Sequence, residues 1–379
     1  MGSKKNLFIF SFKMTRGRKN IKDWTRFLRV MVLTWIVCLS TYMCFYIGMD
    51  PYDRFFFKQD KPAQTIALAD RYLLPSLVRK AYFDSVIIGT STVKLLKPEQ
   101  LNRQFNGRFV NLAMASATPY EQMMLLEEFL KHHPRPKYVF IALDVAWFQE
   151  NPTTWNENFH FPTYLFEENL TEDFKNAFSL LNLKNSFKKL GTYLRIKPHE
   201  NRFDGYECFV PPLEEYNLRK AQEHIYNQQT PMKNVGFQRS DLIDYEGNKK
   251  NFSFPQQLRL KQLLAKLPQE TVKVLFLVPY HVHLQSNNIN SQGARWKAFK
   301  SSYGKLALNF TNTHVIDFMI HSSMTENDEH YWDALHYTQT VAEQICDCLY
   351  QAVTLNRKED RFTHIRSFKS TEDMQIKSD

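Results

Sequence analysis

Three residue types that can act together on an acyl carbon stand at two distant places in this sequence. At residues 86–92 an apolar run passes through Gly89 and Thr90 and presents the hydroxyl of Ser91. At residues 333–337, Asp333 and His336 stand three positions apart. A serine hydroxyl becomes a good nucleophile when a histidine accepts its proton and a carboxylate holds that histidine in the right tautomer. The order Ser91, Asp333, His336 therefore favours a serine hydrolase or acyltransferase over a binding module.

Each half of this set also has a purely structural interpretation. A serine after a strand is often a helix N-cap, and an Asp-x-x-His sequence before a helix is also capping chemistry. Either interpretation is reasonable for one half alone. The two halves together, at these places in the chain, are better explained as one site.

The elements that must position these residues are apolar runs separated by amphipathic stretches. Continuous apolar runs suit strands of a parallel sheet that is covered on both faces. Predicted strands are residues 84–88, 108–113, 137–144, 272–279 and 313–318, and predicted helices are residues 66–79, 118–130, 171–189, 256–267 and 338–355. This alternation predicts an α/β fold, a three-layer doubly wound sandwich with a mostly parallel sheet. Ligands bind such folds beyond the carboxyl ends of the strands, where Ser91 falls.

The first fifty residues predict a membrane anchor. Residues 30–49 carry no charge, and a helix of that length spans about 30 Å, the thickness of a bilayer's hydrocarbon core. Residues 1–29 hold nine Lys and Arg and one acid, Asp23, and so carry +8 of the net charge of +10. The positive-inside rule places this basic arm in the cytoplasm and the rest of the chain outside. The rest of the chain has too little net positive charge to bind nucleic acid along a phosphate backbone.

The exported part divides by composition. Residues 50–82 are predicted to form a connector, and residues 83–355 the α/β domain. Within that domain, residues 150–255 are rich in Asn, Phe and Tyr and are predicted to form an insertion or lid. Residues 356–379 are charged and predict a loose tail. Cys208, Cys346 and Cys348 are outside the anchor, and one disulfide from Cys208 to either of the others is as compatible with the spacing as free thiols are.

The motifs resemble those of the SGNH (GDSL-like) hydrolase superfamily, in its membrane-anchored bacterial cell-envelope branch. That branch includes D-alanyl-lipoteichoic acid biosynthesis protein and polysaccharide O-acyl-transfer accessory proteins. Gly89-Thr90-Ser91 looks like the first motif, residues 111–121 look like the second, and Asp333-x-x-His336 looks like the last. The resemblance covers about residues 83–145 and 270–350.

The resemblance implies roles for individual residues. Ser91 is the expected nucleophile, His336 the base and Asp333 its orienting carboxylate. The backbone N–H groups of Ser91 and of Ser116 are the expected oxyanion donors, and Thr90, His281 and His283 are expected near substrate. The family's asparagine donor after the third strand is replaced by Asp144, and an ionised carboxylate cannot donate a hydrogen bond.

The implied function is that of a membrane-anchored, extracytoplasmic serine esterase or O-acyltransferase that works without cofactor or metal. Its expected location is the periplasm or the outer face of the inner membrane. Its expected partners are the lipid bilayer, an acylated polysaccharide or other envelope glycan, and a membrane acyltransferase. Two alternatives remain open: an inactive scaffold of the same fold, and a metal site built from His281 and His283 together with acids and histidines of residues 328–336.

Overall fold

The computed structural model describes residues 21–55, 68–167, 169–196, 203–227, 252–285, 291–355, 359–360 and 363–368. The chain divides into two compact units, Met1–Met49 and Asp50–Asp379. In the first unit a single helix, α1, covers Ile21–Met49. It begins within the basic segment rather than at Val30, because Lys and Arg are good helix formers. Among the described residues, only Asp23–Met49 forms a helix long and apolar enough to cross a membrane.

The second unit is built on a sheet with five parallel strands in the order β2-β1-β3-β4-β5. This confirms the α/β class and the mostly parallel sheet. Nearly all of the strand side chains are buried, as their continuous apolar sequences predict. The strands are β1 Ser85–Ile88, β2 Phe109–Asn111, β3 Tyr138–Leu143, β4 Val272–Leu277 and β5 Thr313–Asp317.

The sheet continues into the segment that the sequence analysis assigns to a loose charged tail. Strands β6, Glu359–Asp360, and β7, Thr363–Phe368, form an antiparallel hairpin, and β7 pairs with β5. The expectation of a loose tail is therefore wrong for these eight residues.

Nine helices surround the sheet within the described part of the second unit. They are α2 Asp70–Val78, α3 Pro98–Phe105, α4 Pro119–His132, α5 Thr171–Ala177, α6 Leu180–Tyr193, α7 Leu218–Asn227, α8 Gln256–Ala265, α9 Ser291–Ala307 and α10 Gln339–Thr354. The capping box predicted for α4 is present, with Thr118 and Glu121 satisfying each other's backbone N–H groups. The single helix predicted over residues 171–189 is two helices, because Ser179 caps a new helix by accepting from the N–H of Asn182.

The described part of the insertion packs against the sheet edge that carries Ser91. The backbone N–H of Asn111, the last residue of β2, donates to the carbonyl of Asp204 at 2.8 Å. Gly205 has a φ of +77°, and a Cβ there would lie 1.9 Å from the carbonyl oxygen of Asn111, so this close approach requires glycine. The hydroxyl of Tyr216 donates to the carbonyl of Tyr331, close to Asp333 and His336.

All five cysteines are free thiols in the structure. Cys208 is exposed, Cys346 is buried in α10, and Cys348 is partly buried. The spacing left both a disulfide from Cys208 and free thiols open, and the structure has free thiols.

Candidate active site

The structure brings Ser91, His336 and Asp333 into one hydrogen-bonded chain. The Oγ of Ser91 lies 2.8 Å from Nε2 of His336, and Nδ1 of His336 lies 2.8 Å from Oδ2 of Asp333. Ser91 is partly exposed, while the histidine and aspartate side chains are only 18% and 15% exposed. This is the geometry that lets a serine give its proton to a histidine held by a carboxylate.

Asp333 is held by the turn that carries His336. Its Oδ1 accepts the backbone N–H groups of Leu335 at 2.8 Å and His336 at 2.9 Å. Burial raises the pKa of Asp333, but the hydrogen bond and attraction of His336 and those two N–H groups outweigh it, and the net shift is downward. Asp333 is thus kept ionised, as an orienting carboxylate must be.

The Asp333–His336 turn is closed by a bridge between Tyr331 and Tyr337, both fully buried. The hydroxyl of Tyr331 also donates to the carbonyl of Pro279, just beyond β4. Buried aromatic side chains therefore fix the turn between the end of β4 and the start of α10.

Ser91 is presented by a tight turn directly after β1. Gly89 fits against Val93 and Ala142, since a Cβ at position 89 would lie 2.5 Å from Cγ2 of Val93 and 2.9 Å from Cβ of Ala142. Ser91 then begins a short 3₁₀ helix, Ser91–Val93, whose first N–H groups have no partner inside the helix. The serine hydroxyl and its own N–H are thus available at the same end of the turn.

The loop after β2 presents Ser116 in a strained conformation. Ser116 has a φ of 52°, in the left-handed region that non-glycine residues rarely adopt. Neighbouring groups hold it there: Asp70 accepts the N–H of Ala115 at 2.9 Å, and Asn156 donates to the carbonyl of Ser116 at 2.6 Å. Within the described residues, the backbone N–H groups of Ser91 and Ser116 donate to no acceptor. Both are available as the predicted oxyanion donors.

Asn111 ties these two loops together. Its side-chain nitrogen donates to the carbonyls of Val93 at 2.8 Å and Leu96 at 3.1 Å, and its side-chain oxygen accepts the N–H of Ala113 at 3.0 Å. Fully buried, it fixes the serine turn relative to the loop that carries Ser116.

Asp144, predicted at the position of the family's asparagine donor, lies buried beneath the serine turn. Its carboxylate accepts the hydroxyl of Thr90 at 2.5 Å and the backbone N–H of Ala146 at 3.0 Å. Burial raises its pKa to about 6, although these two hydrogen bonds and the attraction of His336 act in the opposite direction. Thr90, predicted near substrate, is itself buried and bonded to Asp144 and Thr92.

His281 and His283, which are predicted near substrate, differ in their exposure. His281 is fully buried, and its Nδ1 accepts the N–H of His283 while its Nε2 lies 3.0 Å from Asp328. Its backbone N–H donates to the carbonyl of Ala334, so it braces the Asp333–His336 turn from outside. The side chain of His283 is exposed and packs edge-on against Tyr226. Both ring nitrogens of His281 are thus engaged within the protein, whereas the imidazole of His283 is exposed.

Two sets of contacts near the site could not be recognised from any local sequence motif. Lys94, just after the serine turn, makes a buried ion pair with Asp70 at 2.7 Å and also contacts Glu207 of the insertion. The ring of Phe209, also from the insertion, packs edge-on against His336 with centroids 5.0 Å apart. These partners are far apart in sequence, so only the fold brings them together.

No group of three or more His, Cys, Asp and Glu side chains in the described part of the chain is arranged to hold a metal ion. No protein-family model matches this sequence, and no curated protein matches it. Function is therefore inferred from the chemistry of the site.

Proposed function

We propose that this protein is a membrane-anchored serine esterase or O-acyltransferase that works through an acyl-enzyme on Ser91. The observation that carries the proposal is the continuous Ser91–His336–Asp333 chain, with 2.8 Å at each of its two side-chain contacts. Hydrogen-bond reach from nucleophile to base, and from base to an orienting carboxylate, is the geometric requirement for this chemistry.

In the proposed first step, Oγ of Ser91 attacks the ester carbonyl carbon and its proton passes to Nε2 of His336. The C–O bond of the tetrahedral intermediate then breaks, and His336 returns that proton to the leaving alcohol. In the second step, water or an acceptor hydroxyl attacks the acyl-serine while His336 takes its proton. The bond between the acyl carbon and Oγ of Ser91 then breaks, His336 returns the proton to Oγ, and an acid or a new ester is released.

The negative oxygen of each tetrahedral intermediate would be stabilised by the N–H groups of Ser91 and Ser116. Removing one such donor typically costs about 10²–10³ in rate, so a site with two donors and no asparagine would be slower than one with three. Asp144 keeps the serine turn in place through Thr90 but supplies no donor while it is ionised.

The proposed fold type, location and substrate follow from the resemblance to the SGNH superfamily. The strand order β2-β1-β3-β4-β5 supports a doubly wound sandwich of the SGNH type, whose ligands bind beyond the carboxyl ends of the strands. We place the second unit outside the cytoplasm, because the basic arm precedes the apolar helix α1. The proposed substrate is an acylated envelope glycan, and a membrane acyltransferase is the proposed source or recipient of the acyl group.

The test is loss of acyl chemistry in Ser91→Ala. Full-length protein in detergent should hydrolyse a simple acetate ester and release acetate from an O-acetylated polysaccharide, and Ser91→Ala should lower both rates by about 10³-fold or more. Ser301→Ala, which changes an exposed serine on α9, is the matched control and should leave both rates unchanged. Equal activity of Ser91→Ala and Ser301→Ala would rule out the mechanism.

A second candidate is an inactive scaffold that binds envelope glycan or a partner acyltransferase. The observation that favours it is Asp144, an acceptor at the position of an expected donor. In that case the folded wild-type chain should not react with a serine-directed probe. Reactivity that appears only in Asp144→Asn would identify the missing donor as the cause.

A further inference from the structure

Several polar residues of helix α6 are buried, and several of its apolar residues are exposed. The buried positions include Asn182, Asn185, Ser186 and Thr192. The exposed positions include Leu180 at 85%, Phe187 at 56% and Leu194, which directly follows the helix, at 59%. A helix on the surface of a soluble domain normally has the opposite arrangement, so this one is suited to an apolar environment on its outer side.

Three of the exposed apolar positions share one stripe. Leu180, Phe187 and Leu194 recur every seven residues and therefore lie on the same side of α6. We call these three residues the α6 apolar face. Lys184, between them on the same side, and Arg195 next to Leu194 are both exposed. An apolar stripe with cations beside it is the pattern of a helix that lies in a membrane interface.

The buried polar side of α6 holds the chain segment that directly follows α1. Tyr52 donates to Asn182 at 2.5 Å and accepts from Asn185 at 2.9 Å. Lys189 donates to Asp53 at 2.7 Å and also to the carbonyl of Asp50. Asp50 is the residue after Met49, where α1 ends.

A second contact strengthens this attachment. Arg54 pairs with Asp173 of the neighbouring helix α5 at 3.1 Å, and both side chains are almost fully buried. Residues 50–54 are therefore fixed to α5 and α6 by side-chain hydrogen bonds and ion pairs. If α1 crosses a bilayer, these residues emerge at its surface, and α6 is held within a few residues of that surface.

We propose that the α6 apolar face rests in the interfacial layer of the membrane in which α1 is anchored. The occupant is lipid: acyl chains against Leu180, Phe187 and Leu194, and anionic headgroups against Lys184 and Arg195. The proposal rests on the membrane anchoring that is part of the proposed function, and it is independent of the acyl chemistry. Its consequence is that α6 adds lipid contacts of its own to those of α1.

The test is photo-crosslinking of the full-length chain in cell membranes. p-Benzoylphenylalanine is introduced in turn at Leu180, Leu194 and Leu258. Leu258, 67% exposed on α8, is the matched control because α8 packs against α4 and α9. After irradiation, mass spectrometry of the purified chain should find several-fold more lipid adduct at positions 180 and 194 than at position 258. Thermal unfolding of each variant verifies that it is folded, and extraction with alkaline carbonate should leave the chain in the membrane.

Several results would overturn this proposal. Lipid adducts no more frequent at positions 180 and 194 than at 258 would place the face in water. Adducts mainly with another protein would make it a protein-binding surface. Release of the chain by carbonate would remove the anchoring premise. None of these readouts depends on Ser91, so an inactive protein with lipid adducts at α6 would refute the proposed chemistry alone.

Discussion

At the scale of single residues, Asp144 has the least usual environment near the site. It is 2% exposed, and its carboxylate accepts from Thr90 and Ala146. Because burial raises its pKa to about 6, from an ordinary value of 3.8, the folded protein binds this proton more tightly than the unfolded chain does. Ionising Asp144 therefore destabilises the fold, and this penalty is absent below about pH 4 and complete above about pH 6.

Replacing Asp144 with asparagine should remove that penalty. The amide oxygen can still accept the N–H of Ala146, and the amide nitrogen can donate to Thr90 after its hydroxyl turns. We expect Asp144→Asn to gain stability over the wild type as pH rises from 4 to 6, by on the order of 2–3 kcal/mol at pH 7.

Thermal unfolding midpoints of the full-length chain between pH 4 and pH 8 measure this difference. Asp347→Asn, at an exposed position on α10, serves as the control and should show no comparable pH-dependent gain. A gap between Asp144→Asn and wild type that is the same at pH 4 and pH 7 would contradict the argument.

That Ser91, Asp333 and His336 lie together could be predicted from the sequence, because each stands in a short motif beside a recognisable strand or helix. The contact of His281 could not, since its partner, Asp328, is brought to it by the fold. Phe209 and Lys94 are similar cases. Phe209 of the insertion packs against His336, and Lys94 beside the serine turn pairs with Asp70 of α2 and Glu207 of the insertion.

At the scale of elements, the central strands were predictable and the peripheral elements were less so. Runs such as residues 272–277 are apolar except for Lys273, so their composition predicts burial on both faces. Helix α3 has eight residues, too few for a clear helical period. The β6–β7 hairpin was missed because its charged sequence resembles a solvated tail, and its pairing depends on the free edge of β5.

The elements around the site are joined by the ion pair between Lys94 and Asp70. Lys94 follows the serine turn, Asp70 begins α2, and Asp70 also accepts the N–H of Ala115. Lys94→Met would leave the buried carboxylate of Asp70 without its cation, which typically costs about 3–5 kcal/mol. We expect a lower unfolding midpoint and a slower reaction of Ser91 with acylating probes.

The matched control for this prediction is Arg103→Met, which removes a mostly exposed ion pair with Glu99 on α3. Exposed pairs contribute about 0–1 kcal/mol, so this variant should unfold close to the wild-type temperature. Equal shifts in the two variants would mean that the buried pair has no special structural role.

At the scale of the whole molecule, the sequence distinguished an apolar N-terminal helix from a larger α/β unit, and the structure has both. The direction in which α1 would cross a membrane follows only from the charge of the basic arm, most of which lies outside the described residues. Orientation is a property of the chain in its membrane, so it needs a measurement made there.

Cys208 offers that measurement, since it is an exposed thiol in the second unit. In intact spheroplasts, a maleimide that cannot cross membranes should label the chain, and Cys208→Ser should abolish most of this labelling. Labelling that appears only after lysis would place the second unit in the cytoplasm and contradict the proposed location.

The central claim, that Ser91 is a nucleophile activated by His336, is tested most directly by a fluorophosphonate probe. Full-length protein is incubated with the probe, and the modified residue is identified by mass spectrometry of its peptides. We expect a covalent adduct on Ser91, none at that position in Ser91→Ala, and labelling slowed by at least about 10³-fold in His336→Ala. A folded wild-type chain that remains unlabelled, or that is labelled at another residue, would contradict it.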